Sequence, residues 1–351
     1  MAQVPPPIYA TVPAIYRWYE QQESAQKPRP YLGASQIGRR CERELWLSFR
    51  WVSRPQFDGR MLRLFRRGQR EEAAFVEDLR AIGVIVHDVD RDGRQFTVEA
   101  HGGHFRGHLD GAAVGIPEAP GTWHVLEFKT HNSKSFDKLT KDGVRLAKPE
   151  HYAQMQVYMG LTGMKRALYL AVCKDDDRMH AERIEIDPQA VADLLARAER
   201  VIFAPEPPPR ISSDPAWWEC KFCDFHGVCF GTDAPLPTCR SCAHSTPERD
   251  GTWSCERHGK RAMQAQQQLD GCMSHRVIPP LLAGWADMVD ASQADNWVRY
   301  RTADGREFVN DEQHLPGHYT SAELHDCADK NVLADPQMDA LRTRFGGRIG
   351  G

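Results

Sequence analysis

The chain has 351 residues, 41% of them hydrophobic, and a formal net charge of −3 at pH 7. That is enough for one large domain with a small one, or for two domains, each with a real core. It is too little positive charge for a nucleic-acid coat, so any nucleic-acid contact must rest on local basic patches. No run approaches the roughly 18 apolar residues of a membrane span. The opening "MAQVPPPIYA" lacks the charged-then-apolar order of a secretory leader, so the cytoplasm is the expected compartment.

In chain order, a Pro-rich entry leads into a short helix around "AIYRWYEQQ". "ASQIGRRCERELWLSFR" reads as a helix with Ser35 as N-cap and Cys41 near its start. "MLRLFRRGQREEAAFVEDLRAIG" has amphipathic spacing, with Leu62, Phe65, Ala73, Val76 and Leu79 as the buried stripe and Gly83 as the stop. "VIVHDV", "QFTVEA", "FRGHLDGAAV" and "WHVLEFKT" alternate as strands, with "DRDGR" turning between the first two. "SKSFDKLTKDGVRLAKP" is polar and basic, a loop or a short helix. "EHYAQMQVYMGLTGM" returns to helical spacing, with Pro149 near its first turn. "RALYLAVCK" and "RIEI" read as strands, and "DPQAVADLLARAERVIF" as a helix capped by Asp187 with Pro188 at its first position. "APEPPPR" is an extended linker and "TDAPLPT", residues 232–238, a boundary. The expected organisation is a domain over 1–231, a cysteine-rich module over 232–280, and a tail over 281–351. The tail holds one hairpin, "NWVRYRTADGREFVN", turning at Asp-Gly.

Within "VLEFKT", Glu127 and Lys129 are two residues apart, so on a strand they share a face with Trp123 and Val125. If "GAAVGIPEAPGT" returns the chain antiparallel, Asp110 of "GHLDG" meets Glu127 across the two strands. Two carboxylates held close repel unless a cation lies between them. Oxygen ligands suit Mg²⁺ or Mn²⁺. The Lys129 ammonium beside them can polarise a water or neutralise charge developing on a phosphorus centre. Such a set hydrolyses phosphodiesters. On its own, E-x-K is short and common and describes a buried structural ion pair; the upstream carboxylate shifts the balance.

Asp110 followed by Glu127-Phe128-Lys129 resembles the PD-(D/E)XK nuclease signature in its RecB-like form. "QMQVY", Gln154 to Tyr158, resembles the Q-x-x-x-Y motif of that branch, and both side chains share a helix face. "GQREE" resembles its G-x-x-x-[H/E], with Gly68 and Glu72 in the matching places. The family often has His there; Glu would still ligate a hard cation, and the adjacent Glu71 leaves the choice between the two open. The resemblance spans residues 68–158. It implies an α/β, restriction-endonuclease-like mixed sheet flanked by helices. It also implies one or two Mg²⁺ or Mn²⁺ ions on Asp110, Glu127, Glu72 and the Phe128 carbonyl. Lys129 would position the water or stabilise the transition state, and Gln154 and Tyr158 would support substrate and lysine. The implied activity is metal-dependent cleavage of DNA, exonucleolytic, at ends or on single strands. Fold-level likeness does not set the polarity.

Of ten cysteines, Cys41 and seven within residues 220–272 make a group that in a reducing compartment points to metal, not disulfides. "CKFCDFHGVC" supplies Cys220, Cys223 and Cys229, three soft ligands where a closed site wants four. Iron–sulfur members of the RecB-like branch, the CRISPR-associated and AddB-type nucleases, carry one cysteine before the core and three after it. That pattern implies a [4Fe–4S] cluster on Cys41, Cys220, Cys223 and Cys229, closing a loop of about 180 residues. Four thiolates suit zinc as well, and Cys220, Cys223 and Cys229 with His226 form a zinc alternative. A second group, Cys239, Cys242, Cys255 and Cys272, opens with C-x2-C and reads as a structural zinc site, with His244, His258 and His275 as substitutes. The fold class is therefore completed by a small Cys-rich, metal-binding C-terminal module that contacts DNA or a partner.

Two basic stretches flank the acids. One carries Lys134, Lys138, Lys141, Arg145 and Lys148 with Phe136; the other carries Arg60, Arg63, Arg66, Arg67 and Arg70. They are either phosphate contacts or solvated faces. The expected protein is a DNA nuclease working with recombination or replication proteins. The rival readings are a silent DNA-binding or assembly protein on the same fold, an iron–sulfur redox sensor, and a nuclease with RNA as substrate.

Overall fold

The structure is a computed structural model that describes residues 9–349; the Pro-rich opening, residues 1–8, lies outside them. The chain divides into two compact units. The first takes in the chain up to Arg29, Pro55–Val98 and Arg106–Leu194; the second takes in Pro30–Arg54, Glu99–Phe105 and the chain from Leu195 on.

The first unit contains helices α1 (Thr11–Ser24) and α2 (Gly59–Ala81), strands β1 (Ile85–His87), β2 (Gly111–Val114) and β3 (His124–His131), helices α3 (Ser133–Ala147) and α4 (Pro149–Thr162), and strands β4 (Arg166–Cys173) and β5 (Met179–Glu185). Asp58 starts α2 by accepting from Met61 N at 2.7 Å, and Gly83, at φ 89°, ends it. The five strands form one sheet in chain order. Three neighbouring pairs are antiparallel, and β3–β4 is parallel. A parallel pair needs a crossover, which α3 and α4 supply. Alternation sends Leu126 and Phe128 of β3 to one face with Leu168, Leu170 and Val172 of β4. There they bury against Phe75, Val76 and Leu79 of α2, each side chain contributing roughly 1.5–3 kcal/mol. Glu127 and Lys129 therefore emerge on the opposite face.

Two expectations about helices change. The buried stripe of α2 is Leu62, Phe75, Val76 and Leu79; Ala73 is exposed, and so is Phe65, at 47%. Phe65 packs edge-on against Phe57 at 5.2 Å on the wall of a cleft, where an apolar residue satisfies the helical period without entering the core. The basic stretch after β3, read as a loop or short helix, is a full helix. Asn132 caps it by accepting from Ser135 N at 2.9 Å. It breaks once, at Gly143 (φ 72°, ψ 167°), where Val144 N donates to Glu182 Oε2 at 2.8 Å.

The second unit departs from the linear boundaries expected at 231 and 280. "APEPPPR" is not a linker: its carbonyls receive buried donors, Trp46 Nε1 to Ala204 O at 2.9 Å and Arg43 Nη1 to Pro208 O at 3.1 Å. "TDAPLPT" is packed too, with Ala234 buried and Leu236 N donating to Val52 O at 2.8 Å. Prolines lack the N–H but keep the carbonyl, so a Pro-rich segment can serve as an acceptor ledge. The helix expected from Ser35 starts at Glu42, with Cys41 as its N-cap, after a short 3-10 turn over Ala34–Gln36. Gly38 is a poor helix interior. The expected hairpin is present as Trp297–Thr302 against Glu307–Asn310.

Gly143 occupies a region of backbone space that is essentially glycine-only. Gly143→Ala is expected to cost about 1–3 kcal/mol, read as a lower thermal midpoint. An unchanged midpoint would mean the break in α3 is not constrained.

Candidate active site

The β2–β3 register pairs Gly111 with Leu126 and Ala112 with Val125. Carried one residue further, it faces Asp110 with Glu127. Asp110 Oδ2 accepts from Phe128 N at 2.7 Å. The glycine after Asp110 has a local cause: a Cβ at Gly111 would lie 2.9 Å from the His87 carbonyl oxygen.

Glu127 is fully buried, and its Oε2 has no hydrogen-bond partner among the described residues. Its Oε1 forms an ion pair with Lys129 Nζ, which also donates to Phe128 O at 3.0 Å. The carbonyl expected to face an ion thus holds the ammonium. Glu72 reaches the same place from α2, where both Asp110 and Lys129 act on it. Burial, reinforced by Asp110 and opposed by Lys129, pushes Glu72 up to about 7. Burial pushes Glu127 up to about 7 as well, with Lys129 opposing and Asp110 adding. Asp110 is raised by burial against the pull of Lys129 and the Phe128 N–H. For Lys129, burial acts downward, but Glu127 and Asp110 outweigh it and its pKa is raised.

Three acids around one amine leave an excess of negative charge, and the unpartnered Glu127 Oε2 suits a hard cation. Among the described residues, however, no three His, Cys, Asp or Glu side chains stand in ready-made metal-binding geometry; the couplings show proximity, not a closed shell. A cleft of about 330 Å³ opens here, lined by Gly68, Glu71, Glu72, Lys129 and Lys174 among others. Nothing lies within 4 Å of where a Gly68 Cβ would sit, so the glycine leaves that space open. Glu71 also borders the cleft, but Glu72 is the one coupled to Asp110.

Gln154 and Tyr158 meet on α4: Gln154 Nε2 donates to Tyr158 Oη at 3.0 Å, and Tyr158 Oη donates to His108 O at 2.7 Å. Their bonds go to each other and to the backbone two residues before Asp110, so they brace the acid-bearing strand. Lys134, Lys138 and Lys141 lie exposed on one face of α3. Beyond Gly143 the set divides: the Arg145 guanidinium lies 5.3 Å from the Tyr152 ring centroid, and Lys148 Nζ donates to Ser135 Oγ at 2.5 Å. Phe136 is core, 2% exposed, so it cannot stack on a base. In the second stretch all five arginines are exposed, and Arg67 Nη2 donates to Lys174 O at 2.9 Å.

Both cysteine groups belong to the second unit. Cys41 and Cys229 both act on Cys220 and on Cys223; burial, with Glu44 and these neighbours, pushes Cys223 up to about 12. His226 is engaged by Cys220 O at 2.9 Å. Cys242, Cys272 and Cys255 all act on Cys239, which burial pushes up to about 12. His258 Nε2 lies 3.6 Å from Cys272 Sγ. His244 is bonded to Asn296 Oδ1, and His275 to Ser241 Oγ. All ten cysteines are free.

The sequence reading passed over two histidines on these same faces. His131 follows Lys129 by two on β3, and His151 precedes Gln154 by three on α4; strand and helix periods point to both.

Because Glu127 titrates near 7 when folded and near 4.5 otherwise, the folded chain holds a proton that the unfolded chain releases in that window. Stability from this group is present at pH 4.5 and lost as pH rises through 7. In chelator, Glu127→Gln should match the wild-type thermal midpoint below pH 4.5 and exceed it at pH 8. Taking the difference between the two proteins cancels the histidines. A gap that does not change with pH would refute the assignment.

A family model described as the PD-(D/E)XK nuclease superfamily matches residues 16–230. Among solved structures, the chain is similar to the crystal structure of SSO0001 (16% identity, TM-score 0.38, 62% of this chain and 96% of that one). It is also similar to LHK-Exo, an alkaline exonuclease from Laribacter hongkongensis, at 18% identity and TM-score 0.36 over 53% of this chain and 90% of that one. For LHK-Exo in complex with dAMP the values are 19% and 0.37, over 54% and 90%. A search of curated proteins finds no significant match. The family match covers more than half of the chain and contains every acid and the lysine of the cleft: the chain belongs to the PD-(D/E)XK nuclease superfamily.

Proposed function

We propose that this protein is a metal-dependent DNA nuclease of the RecB-like branch, acting exonucleolytically on DNA ends or single strands. The observation that carries the reading is the β2–β3 register, which faces Asp110 with Glu127 and leaves Lys129 beside them. Asp110, Glu127 and Glu72 would hold one or two Mg²⁺ or Mn²⁺ ions, with the Phe128 carbonyl as a further oxygen donor. A bound ion would supply Lewis acidity at a phosphoryl oxygen and a more acidic water. Lys129, kept charged by the acids around it, donates to a phosphate oxygen as negative charge builds there. Gln154 and Tyr158 keep the strand bearing Asp110 in place. The exposed lysines of α3 and arginines of α2 take flanking phosphates, with the salt dependence that such contacts bring.

The thiols support two further groups in the second unit: a [4Fe–4S] cluster on Cys41, Cys220, Cys223 and Cys229, and zinc on Cys239, Cys242, Cys255 and Cys272. All eight sulfurs are free, Cys41 and Cys229 act on Cys220 and Cys223, and Cys242, Cys255 and Cys272 act on Cys239; four thiolates are a donor set that suits these soft centres. A second functional reading, DNA binding without turnover, draws on the pairing of Lys129 with Glu127 and the Phe128 carbonyl, which by itself is a structural ion pair.

With Mn²⁺, the purified protein should degrade end-labelled single-stranded DNA, and chelator should stop it. Lys129→Ala should lower the rate about 10²–10³-fold. DNA that is bound yet never cut would favour the second reading, and preferential loss of RNA in a parallel digestion would change the substrate. Anaerobic purification should give a brown protein whose iron is lost in Cys41→Ser while zinc remains. Cys239→Ser should lose zinc and keep iron. Colourless, iron-free protein from that preparation would remove the cluster.

A further inference from the structure

On the sheet face that carries Glu127 and Lys129, four polar side chains that the proposed chemistry does not use form one hydrogen-bonded chain with Lys148. Lys148 Nζ lies 2.5 Å from Ser135 Oγ, and Ser135 Oγ lies 3.2 Å from His131 Nδ1. His131 Nε2 lies 2.8 Å from Tyr169 Oη, which lies 2.9 Å from His151 Nδ1. The three rings are close to parallel, with His151 and Tyr169 at 5.8 Å and 25° and His131 and Tyr169 at 6.5 Å and 28°. Tyr169 is the register partner of Glu127 and is fully buried. His151 lies one turn before Gln154 on α4, and the Lys129 charge acts on it. The chain therefore ends beside the proposed site.

The donor inventory narrows its direction to two. An ammonium can only donate, so Lys148 donates to Ser135. Two arrangements then make all four bonds. In one, His131 Nδ1–H donates to Ser135 and the Ser135 proton is left over; in the other, Ser135 O–H donates to His131 Nδ1, His131 Nε2–H donates to Tyr169 Oη, and Tyr169 O–H donates to His151 Nδ1. The second leaves the last proton on His151 Nε2, which has no hydrogen-bond partner among the described residues on a half-buried ring. Burial, with Lys129, His131 and Lys148, holds His151 down to about 2, and burial with nearby lysines holds His131 down to about 4. Both rings are therefore neutral at pH 7. A neutral imidazole is a poor proton source but a well-oriented N–H donor, and the two lysines acting on the ring favour an anionic acceptor over a base edge.

We propose that His151 Nε2–H binds a non-bridging oxygen of a substrate phosphate next to the scissile one, and that Tyr169, His131, Ser135 and Lys148 are positioning residues that fix its tautomer. The proposal rests on the nuclease reading above and names a residue that reading lacks. Losing the donor weakens binding of the strand more than it slows turnover.

The test measures single-stranded oligonucleotide binding by anisotropy in chelator and KM and kcat in Mn²⁺, for wild type, His151→Ala, His151→Gln and Tyr169→Phe. His151→Ala should raise Kd and KM about tenfold with little change in kcat, and His151→Gln, which keeps an N–H near that place, should recover most of it. Tyr169→Phe should fall between. A scan placing one methylphosphonate at a time along the oligonucleotide identifies the contact. The position that weakens wild-type binding should lose its effect in His151→Ala, whereas a merely structural role makes the two penalties add at every position. If wild type cuts DNA and His151→Ala has unchanged Kd and KM, or the penalties add throughout, the His151 contact is wrong and the nuclease reading stands. If wild type neither binds nor cuts DNA, both fall together.

Discussion

The first unit depends on holding Asp110 and Glu127 face to face inside the protein. Burying a carboxylate is costly, and burying two that feel each other is more so. Among the described residues, Glu127 has only the charged contact with Lys129 to offset the cost. Such an arrangement persists only where the surrounding structure over-determines it. Here the β2–β3 register does so: a slip of one residue would move Glu127 and Lys129 to the apolar face and Leu126 and Phe128 to the polar one.

What holds that register is the other side of the same strand. Leu126 and Phe128 pack with Leu168, Leu170 and the α2 side chains Phe75, Val76 and Leu79, and Phe75 stacks on Phe128 at 5.0 Å. Apolar burial on one face thus stabilises an electrostatically unfavourable group on the other. The same helix, α2, brings Glu72 to the acids, and α4 braces the Asp110 strand through Tyr158 and His108. Polar side chains on the working face are linked to one another, because a buried donor or acceptor left alone costs about 1–3 kcal/mol.

The second unit solves a different problem with similar means. Arg240 is 2% exposed, with no carboxylate partner among the described residues. Its guanidinium sits 3.7 Å from the Trp51 ring centroid and 4.6 Å from that of Trp253. It donates to Gln268 Oε1, Phe49 O and Pro30 O. Aromatic faces and carbonyls replace water around the charge, and burial still lowers its pKa to about 9. Arg43, Arg50, Arg240 and Arg276 are thus buried in this unit among its apolar side chains.

Local pattern was enough for much of this protein. Period-two alternation placed Glu127 and Lys129 on one face of a strand, and "GHLDG" supplied the opposing acid. Helical spacing joined Gln154 to Tyr158, and Asp-Gly marked the C-terminal hairpin. These are properties of a few residues in sequence, so they survive without knowledge of the rest of the chain. Other features depend on residues far apart in sequence: the burial of Phe75 in place of Phe65, the packing of the Pro-rich segment, and the meeting of Cys41 with Cys220 and Cys223. The hydrogen-bonded chain from Lys148 to His151 belongs with them, since it exists only when β3, β4, α3 and α4 are assembled. Sequence alone determined which side chains share a face. Tertiary structure decided which faces meet and which are buried, because desolvation and pairing depend on neighbours that the linear order does not name.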